Sequence, residues 1–229
     1  MGNLNTSDLL VENVSFFWPG GTPAVKNCSF SIPSSGLWML VGRNGSGKST
    51  LFRLISGMLS PQSGNITCKL KPALMFQNPD HQLLLPTCGS DLALSAPLEL
   101  NSAQRKQRIQ NVLDKVGLAG MESRPIHTLS GGQKQRLALA GALASEANLL
   151  LLDEPTALLD PVSQIKVLEL VKSLCSSRSV PMTAIWITHR LQELEYSDGA
   201  AMMEGGKIGP WQSGFLLRKR LMPLARRRV

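Results

Sequence analysis

The run Gly42-Arg43-Asn44-Gly45-Ser46-Gly47-Lys48-Ser49-Thr50 fits the spacing G-x-x-x-x-G-K-[ST], which wraps backbone around a polyphosphate. Its glycines let successive N–H groups converge on an anion, and a helix opening at the lysine adds the partial positive charge of its N-terminus. Lys48 is placed to reach β and γ phosphates, and Ser49 offers a hydroxyl to Mg²⁺. Much later, the apolar run Leu149-Leu150-Leu151-Leu152 delivers Asp153 and Glu154 at its end. That is the end of a strand where ligands bind in open α/β sheets. Asp153 is expected to hold Mg²⁺ through water, and Glu154 to face the γ-phosphate and polarise the attacking water. An acid after a core strand is common; joined to the phosphate loop it points to nucleoside triphosphate hydrolysis.

Both motifs need a sheet to carry them. Leu9 to Val14, Val25 to Ile32 and Leu37 to Val41 read as short strands separated by the turn-rich segments 18–23 and 33–36. From Lys48 to Gly57, Leu51, Leu54 and Ile55 share one helical face. Leu149 to Asp153 and Met182 to Thr188 read as buried strands, followed by helical stretches over Val162 to Leu174 and Leu191 to Tyr196. Strands alternating with helices predict a mostly parallel sheet covered on both sides. Between Gln77 and Leu143 helical signals replace strand signals, clearest from Ser102 to Val116 with a cap at Asn101 or Ser102. This predicts one domain: a core of about 1–77 and 145–209, and an inserted helical subdomain of about 78–144. Ala200 to Glu204, Gly205-Gly206 and Lys207-Ile208 read as a closing hairpin.

The 229 residues are 43% apolar, enough for a substantial core. The longest run without a polar side chain, Leu137 to Ala144, has eight residues, far short of the roughly 20 that span a bilayer. Any membrane role is therefore expected to be peripheral. No basic residue precedes Lys26, so no secretory signal is expected. The net charge of +8 is uneven: residues 218–229 carry six bases and no acid, leaving 18 bases against 16 acids elsewhere. The body is thus not expected to bind nucleic acid, and the tail reads as a solvated end or an electrostatic aid to membrane attachment. Cys28, Cys68, Cys88 and Cys175 form no C-x-x-C pair and read as small hydrophobes of a reducing compartment.

Leu129-Ser130-Gly131-Gly132-Gln133 resembles the signature motif of ABC-type ATPases, and the likeness extends along nearly the whole chain. Gln77, in Phe76-Gln77-Asn78-Pro79-Asp80, is similar to the Q-loop glutamine; Asp160 ends a segment like the D-loop; His189 resembles the switch histidine. Trp18 stands where the family places an aromatic that stacks on adenine. The resemblance implies a P-loop NTPase fold with N-terminal antiparallel strands and an inserted helical subdomain. It implies that ATP and Mg²⁺ are bound, the metal by Ser49, Gln77 and Asp153, and that Glu154, His189 and Gln77 serve catalysis. It also implies a head-to-tail dimer in which Ser130, Gly131, Gly132 and Gln133 act on the nucleotide of the other subunit, an identical or a different cassette.

Within the family, Phe76 to Leu83 followed by Pro86-Thr87, and Val14 to Gly21, look most like the energy-coupling-factor ATPases that power uptake of metal ions and vitamins. That implies separate transmembrane subunits, and a place on the cytoplasmic face of the cell membrane or the equivalent face of an organelle membrane. Leu83 to Pro86 and Leu92 to Leu94 are candidates for an apolar groove receiving a helix of the membrane subunit; the alternative is that they are the subdomain's own core. Two departures stand out: Leu158 replaces a smaller D-loop residue, and Cys88-Gly89-Ser90-Asp91 carries less acid than its counterparts. The alternative function is a soluble ABC ATPase outside transport, such as one serving iron–sulfur cluster assembly.

Overall fold

A computed structural model describes residues 7–177 and 181–225. The chain begins with β1 (Leu9–Phe17), β2 (Pro23–Ser31), β3 (Gly36–Val41) and α1 (Lys48–Ile55), then β4 (Ser63–Cys68) and β5 (Pro72–Met75). Three helices follow, α2 (Cys88–Ser95), α3 (Ser102–Lys115) and α4 (Gly131–Ala144). The chain then returns through β6 (Leu149–Asp153), α5 (Pro161–Cys175), β7 (Thr183–Ile187), β8 (Gly199–Glu204), β9 (Lys207–Ile208) and α6 (Gly214–Ala225).

The strands form a three-stranded antiparallel sheet of order β2-β1-β4 and a six-stranded sheet of order β5-β6-β7-β3-β8-β9. All pairs in the larger sheet are parallel except β8 with β9. Its central strands β3, β6 and β7 are nearly continuous apolar runs, broken only by Asp153 at the end of β6 and Thr183 at the start of β7, because both faces are covered. Leu37, Met39, Leu150, Leu152, Ala184 and Trp186 face a core shared with α2 to α6, whereas Trp38, Leu40, Leu149, Leu151, Ile185 and Ile187 face the antiparallel sheet and α1. In register, Leu40 lies beside Ile187 and Ile187 beside Asp153. The loops after β3, β6 and β7 therefore leave the sheet at one edge.

The three N-terminal strands, the hairpin and the helix from Ser102 are present, and Asn101 is the cap, exchanging side-chain bonds with Gln104. Strands β4 and β5 were not anticipated: Ser63–Cys68 is mostly polar, and Pro72–Met75 is four residues opening on proline. The stretch Leu191 to Tyr196 is no α-helix but a single 3₁₀ turn over Glu193–Tyr196.

The end read as a solvated tail is helical over the whole of its described length. Residues 218–225 complete α6, which seats Leu217 in the core, while Arg218 pairs with Glu195. Arg226, Arg227 and Arg228 lie outside the described residues.

Among the four cysteines Cys28, Cys88 and Cys175 are buried and none is bridged. Burial pushes the Cys175 thiol up to about 12, so it is an inert packing residue.

The candidate groove residues separate into two kinds. Thr87 and Ser90 form a capping box at the start of α2, and the buried Asp91 accepts the N–H groups of Leu84 (2.7 Å) and Leu85 (3.0 Å). That clamp holds the preceding loop against the helix with Leu84 turned outward at 74% exposure, while Leu92 is wholly buried. Leu92→Ala is expected to cost about 2–5 kcal/mol in urea unfolding, whereas Leu84→Ala stays within about 0.5 kcal/mol of the parent. Equal losses would contradict this division.

Candidate active site

The phosphate loop is built by close approach. Gly47 caps α1 at φ +104°, and a Cβ there would stand 2.1 Å from the Ala24 carbonyl oxygen. A Cβ on Gly42 would meet the Met203 carbonyl oxygen at 2.3 Å. With no side chain bonding to this helix start, its N–H groups are open to an anion. Ser46 Oγ is buried without a hydrogen-bond partner, a further donor held inside the loop.

A cleft of about 490 Å³ lies over this loop. It is lined by Asn44 through Thr50, by Trp18 on one side, and by Gln77, Glu154 and His189 on the other. The antiparallel sheet thus brings Trp18, and the main sheet brings Gln77 from the end of β5, Glu154 from β6 and His189 from β7. Trp18 and Phe16 pack in a T-shaped pair, ring centres 5.2 Å apart, which steadies the indole. Thr22, Pro23 and Ala24 also line the cleft and were missed in the sequence. Their nearness to Trp18 was a signal, but the tight approach of Gly47 to Ala24 shows only in three dimensions.

Lys48 is buried and donates to the carbonyl oxygens of Gly42 (2.8 Å) and Arg43 (3.0 Å), so those residues hold the lysine rather than line the cleft. Burial lowers its pKa, opposed by the charges of Glu154 and Asp153. Asp153 sits just behind the cleft; burial raises its pKa, opposed first by a hydrogen bond from the Ser49 side chain. A hydroxyl and a carboxylate side by side are hard oxygen donors, the kind that Mg²⁺ accepts together with phosphate oxygens. Among the described residues no cluster of three or more His, Cys, Asp or Glu offers a self-contained metal cage.

Glu154 and His189 meet directly, Oε1 to Nε2, at 2.8 Å. The glutamate backbone is left-handed at φ +50°, and its N–H donates to Ile187 O at 3.1 Å. That unusual conformation turns the chain sharply as it leaves β6 and directs the carboxylate into the cleft rather than along the strand.

The signature residues lie elsewhere. Ser130 caps α4 and exchanges bonds with Gln133: Ser130 N–H donates to Gln133 Oε1 (2.8 Å), and Gln133 N–H to Ser130 Oγ (3.3 Å). Ser130, Gly132 and Gln133 line a separate hollow of about 290 Å³ with Arg136, Ser163 and Lys166, which shares no residue with the phosphate-loop cleft. Gly131 is exposed, and Gly132 is buried against Ser163, whose side chain a Cβ would meet at 2.8 Å. Asp160 caps α5, accepting the N–H groups of Val162 and Ser163, and bonds with Ser163 hold its carboxyl below the usual range. Beside it Leu158 is 63% exposed.

The loop geometry makes a graded expectation. Gly47→Ala adds a steric clash to positive-φ strain of about 1–3 kcal/mol, and the resulting shift should weaken binding of a fluorescent ATP analogue by about tenfold or more. Gly45→Ala, at φ +75° with nothing within 4 Å of the added methyl, carries the strain alone and should lose less. The reverse ranking would contradict the assigned close approach.

Residues 25–157, more than half of the chain, match the family model described as ABC transporter. "ABC transporter I family member 10" of Arabidopsis thaliana is 46% identical over 188 residues, covering 81% of this chain and 69% of that protein. The energy-coupling factor transporter ATP-binding protein EcfA of Methanocaldococcus jannaschii is 38% identical over 215 residues, covering 86% and 76%. Among solved structures, cbiO1 of Clostridium perfringens, part of the ABC transporter complex cbiONQ, superposes with a TM-score of 0.84 at 29% identity, covering 97% of this chain and 96% of that one. A further ATP-binding cassette, solved as a dimer in a post-hydrolysis state with ADP and Pi, shares the fold with a TM-score of 0.76 at 23% identity, over 90% and 98%. With a phosphate-loop cleft of this form and relatives of this kind, the chain belongs to the ABC transporter family as an ATP-binding, ATP-hydrolysing subunit.

Proposed function

We propose that this ATPase powers an energy-coupling-factor-like importer of a metal ion or vitamin, working with a second cassette and separate transmembrane subunits. Relatives named as energy-coupling factor ATP-binding proteins support the transporter type. The separation of the two hollows carries the mechanistic reading: the signature residues have no place in their own chain's phosphate-loop cleft, so they serve the cleft of the second cassette. The N-terminus of α4, with Ser130, then faces the γ-phosphate held by the loop 42–50 of the other subunit. The exposed Leu158, Val162 and Ile165, on the D-loop and the first turns of α5, suit burial in that interface.

In this reading Lys48 leaves the Gly42 and Arg43 carbonyls for the β and γ phosphates, and Trp18 stacks on the adenine. Ser49, Asp153 and Gln77 are the residues that hold Mg²⁺, which when bound neutralises developing charge on the phosphate oxygens. Glu154 orients and polarises the attacking water as general base. His189, at 2.8 Å from that carboxylate, steadies it and turns to the γ-phosphate when nucleotide is present.

Gln77 also joins the cleft to α2–α4, the insert we assign to residues 78–144 as the unit that moves. The outward Leu84 and Leu94, exposed by 74% and 59%, are the apolar contacts for a helix of the membrane subunit, while Leu92 belongs to the core. Among the described residues no helix is long and apolar enough to cross a membrane, so attachment to the proposed cytoplasmic face runs through that partner.

Glu154→Gln is expected to lower turnover about 10²–10⁴-fold while keeping ATP bound, because the amide preserves shape and removes the base. Lys48→Ala should instead lose nucleotide affinity in the same binding assay. Hydrolysis by Glu154→Gln at the parental rate would refute the assignment of the base.

Where the second cassette is an identical copy, a Lys48→Ala chain mixed with a Ser130→Arg chain should recover ATPase activity that neither has alone. A mixed dimer joins one intact loop to one intact signature. Failure to recover activity at any mixing ratio, with mixed dimers shown to form, would contradict the trans arrangement in an identical pair.

A further inference from the structure

Behind the cleft lies a buried carboxylate that belongs to none of the sequence motifs and does not line the cleft. Glu193 opens the 3₁₀ turn after β7 and is 8% exposed. Its two oxygens are taken by two different parts of the chain. Oε1 accepts the Thr156 hydroxyl at 2.6 Å, and Oε2 accepts the Trp186 indole N–H at 3.1 Å. Thr156 is 2% exposed and Trp186 wholly buried, so neither bond competes with bulk water.

The places of these two donors matter more than their number. Thr156 is two residues beyond Glu154, in the turn that Ala157 N–H closes on the Glu154 carbonyl at 3.1 Å. Trp186 is in β7, three residues before His189. Glu193 itself follows His189 by four residues, its N–H bonded to Arg190 O at 3.0 Å. The carboxylate therefore spans the turn that bears Glu154 and the strand and loop that bear His189.

We propose that Glu193 is a positioning residue for ATP hydrolysis, a buried strut that fixes the Glu154 turn against the His189 loop and so sets the contact between those two side chains. The inference rests on the catalytic reading of Glu154 and His189 given above. Glu154 emerges in a left-handed conformation, which persists only where its surroundings hold it. Catalytic groups must be held within about 0.5 Å, and a misplacement of about 1 Å can cost roughly 100-fold. A glutamine can replace the strut, because its amide oxygen accepts from the Trp186 indole while its NH₂ donates to the Thr156 hydroxyl. An alanine can do neither.

The test compares steady-state ATP hydrolysis, nucleotide affinity and thermal midpoint for Glu193→Ala, Glu193→Gln and Thr156→Val, and for Glu193→Ala combined with Glu154→Gln. Glu193→Ala should lower kcat about 10–100-fold with ATP affinity within about twofold, and Glu193→Gln should recover kcat to within about threefold of the parent. In the Glu154→Gln background, Glu193→Ala should add no further loss, because the strut acts through a base already removed.

A parental kcat in folded Glu193→Ala, equal losses in the alanine and glutamine variants, or a full multiplicative loss in the double variant would each overturn the proposal. Should Glu193→Ala not fold, folded Thr156→Val decides: removing one arm must lower kcat at unchanged affinity, and a parental kcat refutes the strut. A parental rate in Glu154→Gln alone would sink the catalytic reading; an inactive Glu154→Gln beside a fully active Glu193→Ala would sink only this inference.

Discussion

Strands β3, β6 and β7 run parallel and end level with one another, and the chemistry depends on that alignment. Leu40, Ile187 and Asp153 lie side by side across the sheet, so the next residues of all three strands leave at one edge. One exit becomes the phosphate loop, one Glu154, one His189. A one-residue register slip in any of them would exchange the two faces of the strand and carry one of these groups away from the cleft. Burial on both faces resists such a slip: Leu149 to Leu152 alternate between the two cores, so a displaced strand would disturb both.

Electrostatics in the cleft follow from the same convergence. Lys48, Asp153 and Glu154 share a small, partly dry volume, in which burial opposes the charge on Lys48 and Asp153 while their opposite charges support one another. Lys48 meanwhile finds partners in two loop carbonyls, an arrangement that keeps its ammonium satisfied and close to where phosphates arrive. The signature segment obeys a different local rule, a capping box at the start of α4. It presents that helix end outward, away from its own nucleotide cleft. On the reading proposed above, the phosphate-loop cleft and this helix end are two half-sites, each completed by another cassette.

Much of this was legible in the sequence because it rests on local rules. Gly42 to Thr50 must follow a strand and open a helix, and Leu149 to Glu154 must be a buried strand with its acids at the tip. Fully buried strands read as continuous apolar runs, which is how β3, β6 and β7 were found. Strand β4 was not, since Ser63 to Cys68 gains its strand partners only by pairing with β1, a long-range contact that leaves little local trace. The ordered α6 was hidden by its charge: the Arg218, Lys219 and Arg220 cluster masks Leu217 and Leu221, which pack inward. Leu84 and Leu92 look equivalent in composition, and only the Asp91 clamp decides which one faces out. Glu193 is one acid among several after His189; nothing in its neighbours reveals that both its oxygens are occupied.

The claim that joins these observations is that a complete site needs the phosphate loop of one cassette and the signature of another. Determining the structure of the Glu154→Gln protein with Mg²⁺ and ATP tests it directly. The account predicts two copies packed head to tail, Lys48 moved from the Gly42 and Arg43 carbonyls onto the phosphates, and Ser130 of the opposing copy at hydrogen-bond distance from the γ-phosphate. A γ-phosphate contacted only by residues of the chain whose loop holds it, with the opposing Ser130 facing solvent, would contradict it.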